Sequence, residues 1–263
     1  MLAEAAVILD EIVADKRRAH AARPPADLEA LYERARALPL ARPFAAALSD
    51  GGKRAPRVIA EFKRRSPSAG AIRPGADPAV VARRYAEAGA AALSVLTDER
   101  FFDGALAHLQ LARQSCALPI LRKDFLLDER DLVEARLAGA DAVLLIVRLL
   151  DDAALRALQA AAARSGLQTL VEAHSEREIE RALAAGAGVV GVNHRDLDTL
   201  RIDLSLSARA RALAPDVVLV AESGIQTRAQ VERLRAQGVD AILVGESLMR
   251  ADDPGAALVE LLG

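Results

Sequence analysis

The sequence predicts a single α/β domain, a (β/α)8 TIM barrel with an N-terminal helical extension. Eight short apolar runs, rich in Val, Ile and Leu and without polar alternation, follow residue 56. Runs of that kind read as strands buried on both faces of a parallel sheet. Amphipathic Ala/Leu/Arg/Glu stretches separate them, and the run ends recur every 21–34 residues, one βα unit per interval. Eight units in 263 residues suit a closed barrel. An open doubly wound sheet carries about five or six strands, and its Gly-rich dinucleotide fingerprint does not follow the first run.

In chain order, residues 1–48 read as helices over 3–19 and 27–37, broken at Pro24-Pro25 and Pro39, an extension packed on the barrel. Asp50-Gly51-Gly52 is a flexible entry to the barrel, which occupies 49–263. The strands are expected over 57–62, 92–96, 118–122, 142–146, 168–172, 189–193, 217–222 and 241–244. Helices are expected between them over 78–88, 129–138, 153–164, 176–185 and 228–236, with a last one over 254–262. Four of the helices run into a glycine and a small residue before the next strand, as in EARLAGADAVLLI, which marks a left-handed C-cap.

A hydrophobic content of 52% supplies one core, and a formal charge of −2 gives no electrostatic case for nucleic acid or a membrane surface. The one cysteine, Cys116, excludes an internal disulfide and suits a reducing compartment. The four histidines are scattered without zinc spacing, so no metal is expected. The opening MLAEAAVILDEIVADKRRAH carries acids inside its apolar stretch and is not a secretory signal. The longest apolar run, 142–147, is too short to span a bilayer, and a cytoplasmic location is expected.

Of 35 basic residues only four are lysines (Lys16, Lys53, Lys63, Lys123). Where arginine is used so freely, a lysine at a strand end marks a position that needs a compact cation with a tunable pKa. Barrel active sites lie at the C-terminal ends of the strands. Strand 1 brings Glu61 and Lys63 there, two residues apart and on one side; strand 3 brings Lys123, strand 5 Glu172 and strand 7 Glu222. Asn193 and Arg195 share a side after strand 6. Charges converging on an apolar cup shift one another's pKa values, as acid–base catalysis requires.

Ser223-Gly224 after strand 7 and Gly245 after strand 8 occupy the loops where barrels build phosphate sites from backbone N–H groups. The loop 64–70, with Ser66, suits a mobile lid. Asp98, Glu99 and Arg100 lie in the loop after strand 2, beside Phe101-Phe102, which could line an aromatic pocket. His174 reads as a capping or surface residue, His194 as pointing away from the mouth, and Cys116 as packing at the barrel floor. The rim alone fits an acid–base enzyme acting on a small anionic phosphorylated substrate. An isomerase, an aldolase with Lys123 as Schiff base, or a non-catalytic binding barrel fits the same rim.

The segments IAEFKRRSPSAG, SVLTDERFFDG, LPILRKDFLLDE, GADAVLLI, LVEAHSE, GVNHRDL, AESGI and LVGESLM resemble, in order and spacing, those of the indole-3-glycerol phosphate synthase family over about residues 57–250. The resemblance implies closure of 1-(2-carboxyphenylamino)-1-deoxyribulose 5-phosphate to indole-3-glycerol phosphate with loss of CO2 and water, a step of tryptophan biosynthesis that needs no cofactor. It implies Lys123 as general acid, Glu172 and Glu61 in the later dehydration, and Lys63 as a second acid or an anion contact. Asn193, Arg195, Glu222 and Ser66 would contact substrate, and Ser223, Gly224 and Gly245 would hold the phosphate. Phe101, Phe125, Leu144, Leu145 and Leu197 would wall the aryl ring. Glu246 departs from the small residue common at that place in the family, so the anion contact is assigned to the Gly245 backbone. Association with other tryptophan-pathway enzymes is not legible in the sequence.

Overall fold

Eight parallel strands close on themselves in chain order: Arg57–Phe62 (β1), Ala92–Leu96 (β2), Ile120–Lys123 (β3), Ala142–Ile146 (β4), Gln168–Ala173 (β5), Val189–Asn193 (β6), Val218–Glu222 (β7) and Ala241–Val244 (β8). The structure is a computed structural model describing residues 2–49, 56–196, 199 and 201–263. The glycine-rich entry at 50–52 and Leu197 lie outside the described residues. Closure is made by β1, which pairs with β8 through Arg57↔Ala241 and with β2 through Ile59↔Ala92. Strand β3 starts at Ile120, two residues later than the apolar run. Pro119 has no N–H to give the ladder; it only accepts, from Leu93 N.

Both faces of the sheet are buried, which is why the strands read as unbroken apolar runs. On β4, Leu144 and Ile146 face the barrel interior with Ile59, Leu121, Leu170 and Val220. Val143 and Leu145 face the outer helices. The helix stops behave as expected at Gly139 (φ 100°) and Gly186 (φ 83°), a region that L side chains avoid. Two of those stops continue into a Gly-x-Asp sequence with a second task. Asp141 accepts from Ile120 N at 2.9 Å and Asp240 from Leu219 N at 2.8 Å, each also pairing an arginine of the helix one βα unit earlier, Arg113 of Leu106–Ser115 and Arg211 of Leu206–Leu213. These aspartates lock neighbouring strand starts at the face opposite the strand ends.

Three helices precede the barrel: α1 (Leu2–Ala22), α2 (Leu28–Arg36) and α3 (Phe44–Leu48). Helix α3 has no counterpart among the expected elements, because five residues are too few to show a period. Its Phe44 and Leu48 are fully buried and plug the floor of the barrel against the interior residues. Loop 64–70 is not a free flap either: Arg65–Ser66 and Gly70–Ala71 pair as an antiparallel hairpin beside the mouth. Residues 99–102, expected as loop, form a short helix capped by Asp98, whose carboxylate accepts from Phe101 N at 2.8 Å. Among the described residues no helix is long and apolar enough to cross a membrane.

Candidate active site

The C-terminal ends of β1, β3, β5 and β7 bring their charged residues to one place. Lys123 Nζ lies 2.6 Å from Glu172 Oε2 and 2.6 Å from Glu222 Oε2, and Lys63 Nζ lies 2.7 Å from Glu61 Oε1. Odd-numbered strands of a barrel contribute alternate layers of inward side chains, so one layer receives all the acids. Ser94 Oγ donates to the other oxygen of Glu61 at 3.2 Å, and Asn193 Nδ2 donates to Glu172 Oε1 at 3.3 Å.

The charges are buried, and they divide unequally. Burial works against the charge on Lys123, but Glu172, Glu222 and Glu61 outweigh it and hold the ammonium more firmly than in water. Burial also opposes the charge on Glu172, yet Lys123 and then His174 keep its carboxyl well below the usual range. Glu222 is pushed up to about 8 by burial, against Lys123 and with the help of the Glu172 charge. Two carboxyls flanking one ammonium are thus pushed in opposite directions, Glu172 toward the ionised form and Glu222 toward the protonated one, a division suited to acid–base work.

Two glycines make this packing possible. A Cβ on Gly191 of β6 would collide with Glu222 Oε1, and one on Gly245 would come within 2.5 Å of Glu61 Oε1. Gly245 therefore has a steric role beyond the backbone contact expected of it.

The turn after β7 holds Ser223 at φ 67° and Gly224 at φ 74°. Side chains engage both carbonyls: a ring nitrogen of His194 lies 3.2 Å from Ser223 O, and Gln230 Nε2 donates to Gly224 O at 2.9 Å. Among the described residues the amides of Gly224 and Ile225 find no protein acceptor. Successive left-handed residues with free N–H groups form a concavity suited to an anion. Glu246, the unexpected acid nearby, pairs with Arg250 at 3.1 Å.

These groups border a cavity of about 780 Å³, which Ser66, Asn193, Arg195, Phe125 and Leu144 also line, as expected. Three expectations are corrected. Phe102, not Phe101, reaches the cavity and lies 6.0 Å from the Phe125 ring, because the turn of helix 99–102 leaves Phe101 beneath Arg100. Leu145 faces the outer helices by strand alternation. His174 is neither a cap nor a surface residue: its side chain is 4% exposed, and Nε2 lies 3.3 Å from Glu172 Oε1. His194 does point out of the barrel, to Ser207 Oγ at 2.7 Å.

Helix α1 contributes what the sequence reading missed. It crosses the mouth, walling the cavity with Ile8, Leu9 and Ile12. Lys16 Nζ lies 2.7 Å from Asp124 and 3.0 Å from Asp98. The rarity of lysine was a usable signal: all three described lysines stand at this mouth.

A closed parallel barrel with this mouth has the build of an acid–base enzyme for a small anionic substrate. Residues 9–261 match the family model of indole-3-glycerol phosphate synthase. The chain is 49% identical to the indole-3-glycerol phosphate synthase of Polaromonas sp. (strain JS666), covering 97% of this chain and 98% of that one. It is 52% identical to indole-3-glycerol phosphate synthase 2 of Streptomyces coelicolor, over 89% and 90% of the two chains. The chain belongs to the indole-3-glycerol phosphate synthase family, decarboxylating lyases of tryptophan biosynthesis. Among solved structures, a 3-hexulose-6-phosphate synthase matches with a TM-score of 0.61 at 20% identity, over 78% of this chain and 97% of that one. A thiamine phosphate pyrophosphorylase from Pyrococcus furiosus matches at 0.59 and 19%, over 78% and 93%. These two share the fold.

Proposed function

We propose that Lys123 is the general acid of the ring closure, with Glu172 and Glu222 as its partners. The observation that carries this reading is the Lys123 ammonium, 2.6 Å from each of two buried glutamates beside an apolar-walled cavity. The aryl carbon bearing the carboxylate attacks the C2 carbonyl of the ribulose chain, and Lys123 gives its proton to the carbonyl oxygen as the C–C bond forms. CO2 then leaves and the ring regains aromaticity. Dehydration needs a proton for the departing hydroxyl and a base for the hydrogen on the adjacent carbon. Lys63 would serve the first task, with Glu61 beside it, and ionised Glu172 the second.

Phe102, Phe125 and Leu144 would sandwich the aryl ring, and Ser66, Asn193 and Arg195 would orient the polar chain. The turn Ser223-Gly224 and the Gly245 backbone would receive the phosphate. Residues 1–48 and the barrel work as one domain, because α1 walls the cavity. The substrate is a small soluble metabolite, and we place the reaction in the cytoplasm.

The test is an indole-fluorescence assay on the carboxyphenylamino-deoxyribulose phosphate. Lys123→Ala should lose roughly 10²–10⁴-fold or more in kcat while substrate still binds. Near-normal turnover in that variant would sink the assignment.

A further inference from the structure

We propose that His174 is a positioning residue for the ring closure, clamped between Glu172 and Glu178 so that Glu172 keeps one oxygen on Lys123. This rests on the reading of Glu172 as a working acid–base group. The geometry is a buried row of charges. Glu178 Oε2 lies 3.4 Å from His174 Nδ1, His174 Nε2 lies 3.3 Å from Glu172 Oε1, and Glu172 Oε2 lies 2.6 Å from Lys123 Nζ. Both His174 contacts are ion pairs: among the described residues neither ring nitrogen has an acceptor aligned for a hydrogen bond, so the two carboxylates hold the ring by charge and proximity.

The local chain explains the arrangement. Glu172 and His174 are two apart at the end of β5 and so emerge on one side. Ser175 caps the helix Glu176–Ala184, accepting from Glu178 N at 3.3 Å, and Glu178 returns its carboxylate to His174 N at 2.8 Å. The cap thus fixes one end of the imidazole while Glu172 takes the other. On Glu172 Oε1 the remaining contact is Asn193 Nδ2 at 3.3 Å, a neutral donor. Without His174 that oxygen would keep its bond from Asn193 but lose the cation beside it, and the carboxyl would be freer to turn off Lys123.

Four charged groups among the described residues bear on the imidazole and its partners. From its own loop and helix they are Glu172 and Glu178; Arg148, on the turn Val147–Leu149, acts on Glu178, and Lys123 of β3 acts on Glu172. Burial opposes the imidazolium, but the two glutamates outweigh it and raise its pKa to about 9. His174 is therefore charged at neutral pH and supports Glu172 there. That support is complete below the ordinary imidazole value of 6.5 and is lost as pH rises through about 9.

The experiment compares His174→Ala and His174→Asn with the intact enzyme across pH. In His174→Ala, kcat should fall on the order of tenfold, a fraction of a general acid–base contribution, with KM within about twofold. The acidic limb of kcat/KM should move to higher pH, because Glu172 has lost a cation. In His174→Asn the side-chain amide should restore part of kcat while leaving the acidic limb displaced, since asparagine carries no charge. A merely structural role would lower melting temperature or kcat and leave that limb in place. An unmoved acidic limb in both variants overturns the proposal, and if His174→Ala does not fold, the limb in His174→Asn decides. Glu172→Gln serves as the control: full activity there would refute the reading of Glu172 itself. An inactive Glu172→Gln beside an unaltered His174→Ala would refute only the positioning role.

Discussion

Lys16 Nζ, carried by α1, lies 2.7 Å from Oδ1 of Asp124, the residue that follows Lys123 in the chain. Asp124 is buried, and its other oxygen takes Arg122 at 3.0 Å and Thr97 Oγ1 at 2.6 Å. The extension is thereby fastened to the strand end that holds the central lysine. Burial would raise the Asp124 carboxyl, but Arg122 and then Lys16 hold it down at about 2.

Lys16→Met is expected to keep the apolar stem and lose the ion pair, destabilising the fold by about 1–3 kcal/mol in denaturant unfolding near neutral pH. Asp124 has a depressed pKa, so its contribution is present above the ordinary value of 3.8 and is lost as pH falls through about 2. The gap between Lys16→Met and the parent protein should therefore be full above about pH 4 and close toward pH 2. A gap that stays constant down to acid would show that the carboxylate is not the partner that matters. With Ile8, Leu9 and Ile12 less firmly held over the cavity, KM should rise.

Lys123→Ala removes the cation between two buried glutamates, so its cost is structural as well as chemical. Glu172 and Glu222 should both take up protons more readily, and stability should fall as pH rises and they are forced to ionise. Melting temperatures at pH 6 and pH 8 test this. The loss relative to the parent protein should be larger at pH 8.

Glu222 gives the opposite pH signature to Asp124. Its pKa is raised from 4.5 to about 8, so the folded state binds a proton that the unfolded state has released. Stability from this group is complete below about 4.5 and declines as pH climbs through about 8. Glu222→Gln imitates the protonated acid without its titration. The thermal stability of that variant should depend less steeply on pH between 6 and 9, and an identical slope would refute the assignment.

Ser223 permits a cleaner test of the phosphate turn than its neighbour. A Cβ on Gly224 would come within 2.5 Å of the Ile202 side chain, so any substitution there confounds charge with strain. Ser223 already carries a side chain at φ 67°, a conformation that aspartate tolerates. Ser223→Asp should raise KM tenfold or more with a smaller change in kcat, by setting a negative charge against the phosphate. Unchanged KM would remove the turn from the binding site. Ser223→Gly should relieve the strained backbone and stabilise the fold by up to about 1 kcal/mol, as read by denaturant unfolding.

Gly191→Ala tests the packing of the acids without touching a charge. The added methyl would strike Glu222 and press on Leu170. Overpacking of this kind costs about 1–3 kcal/mol. The informative readout is kcat, which should fall as Glu222 leaves Lys123, while the barrel's circular dichroism stays unchanged.

The sequence by itself determined the barrel and most of its rim. Unbroken apolar runs at a regular interval suffice for eight buried parallel strands, and the C-terminal ends of those runs carry Glu61, Lys63, Lys123, Glu172 and Glu222 to one end of the barrel. Tertiary structure alone decided what those residues touch. Helix α3 plugs the floor through five residues that show no period, and α1 closes the mouth through Ile8, Leu9, Ile12 and Lys16, far from the strands in the chain. Phe102 replaces Phe101, and His174 joins Glu172, because a half-turn of helix or the start of a cap sets a side chain's direction. Periodicity reports which face of an element a residue occupies. Which of two buried carboxyls keeps its proton depends on the charges and the desolvation that the closed barrel brings together.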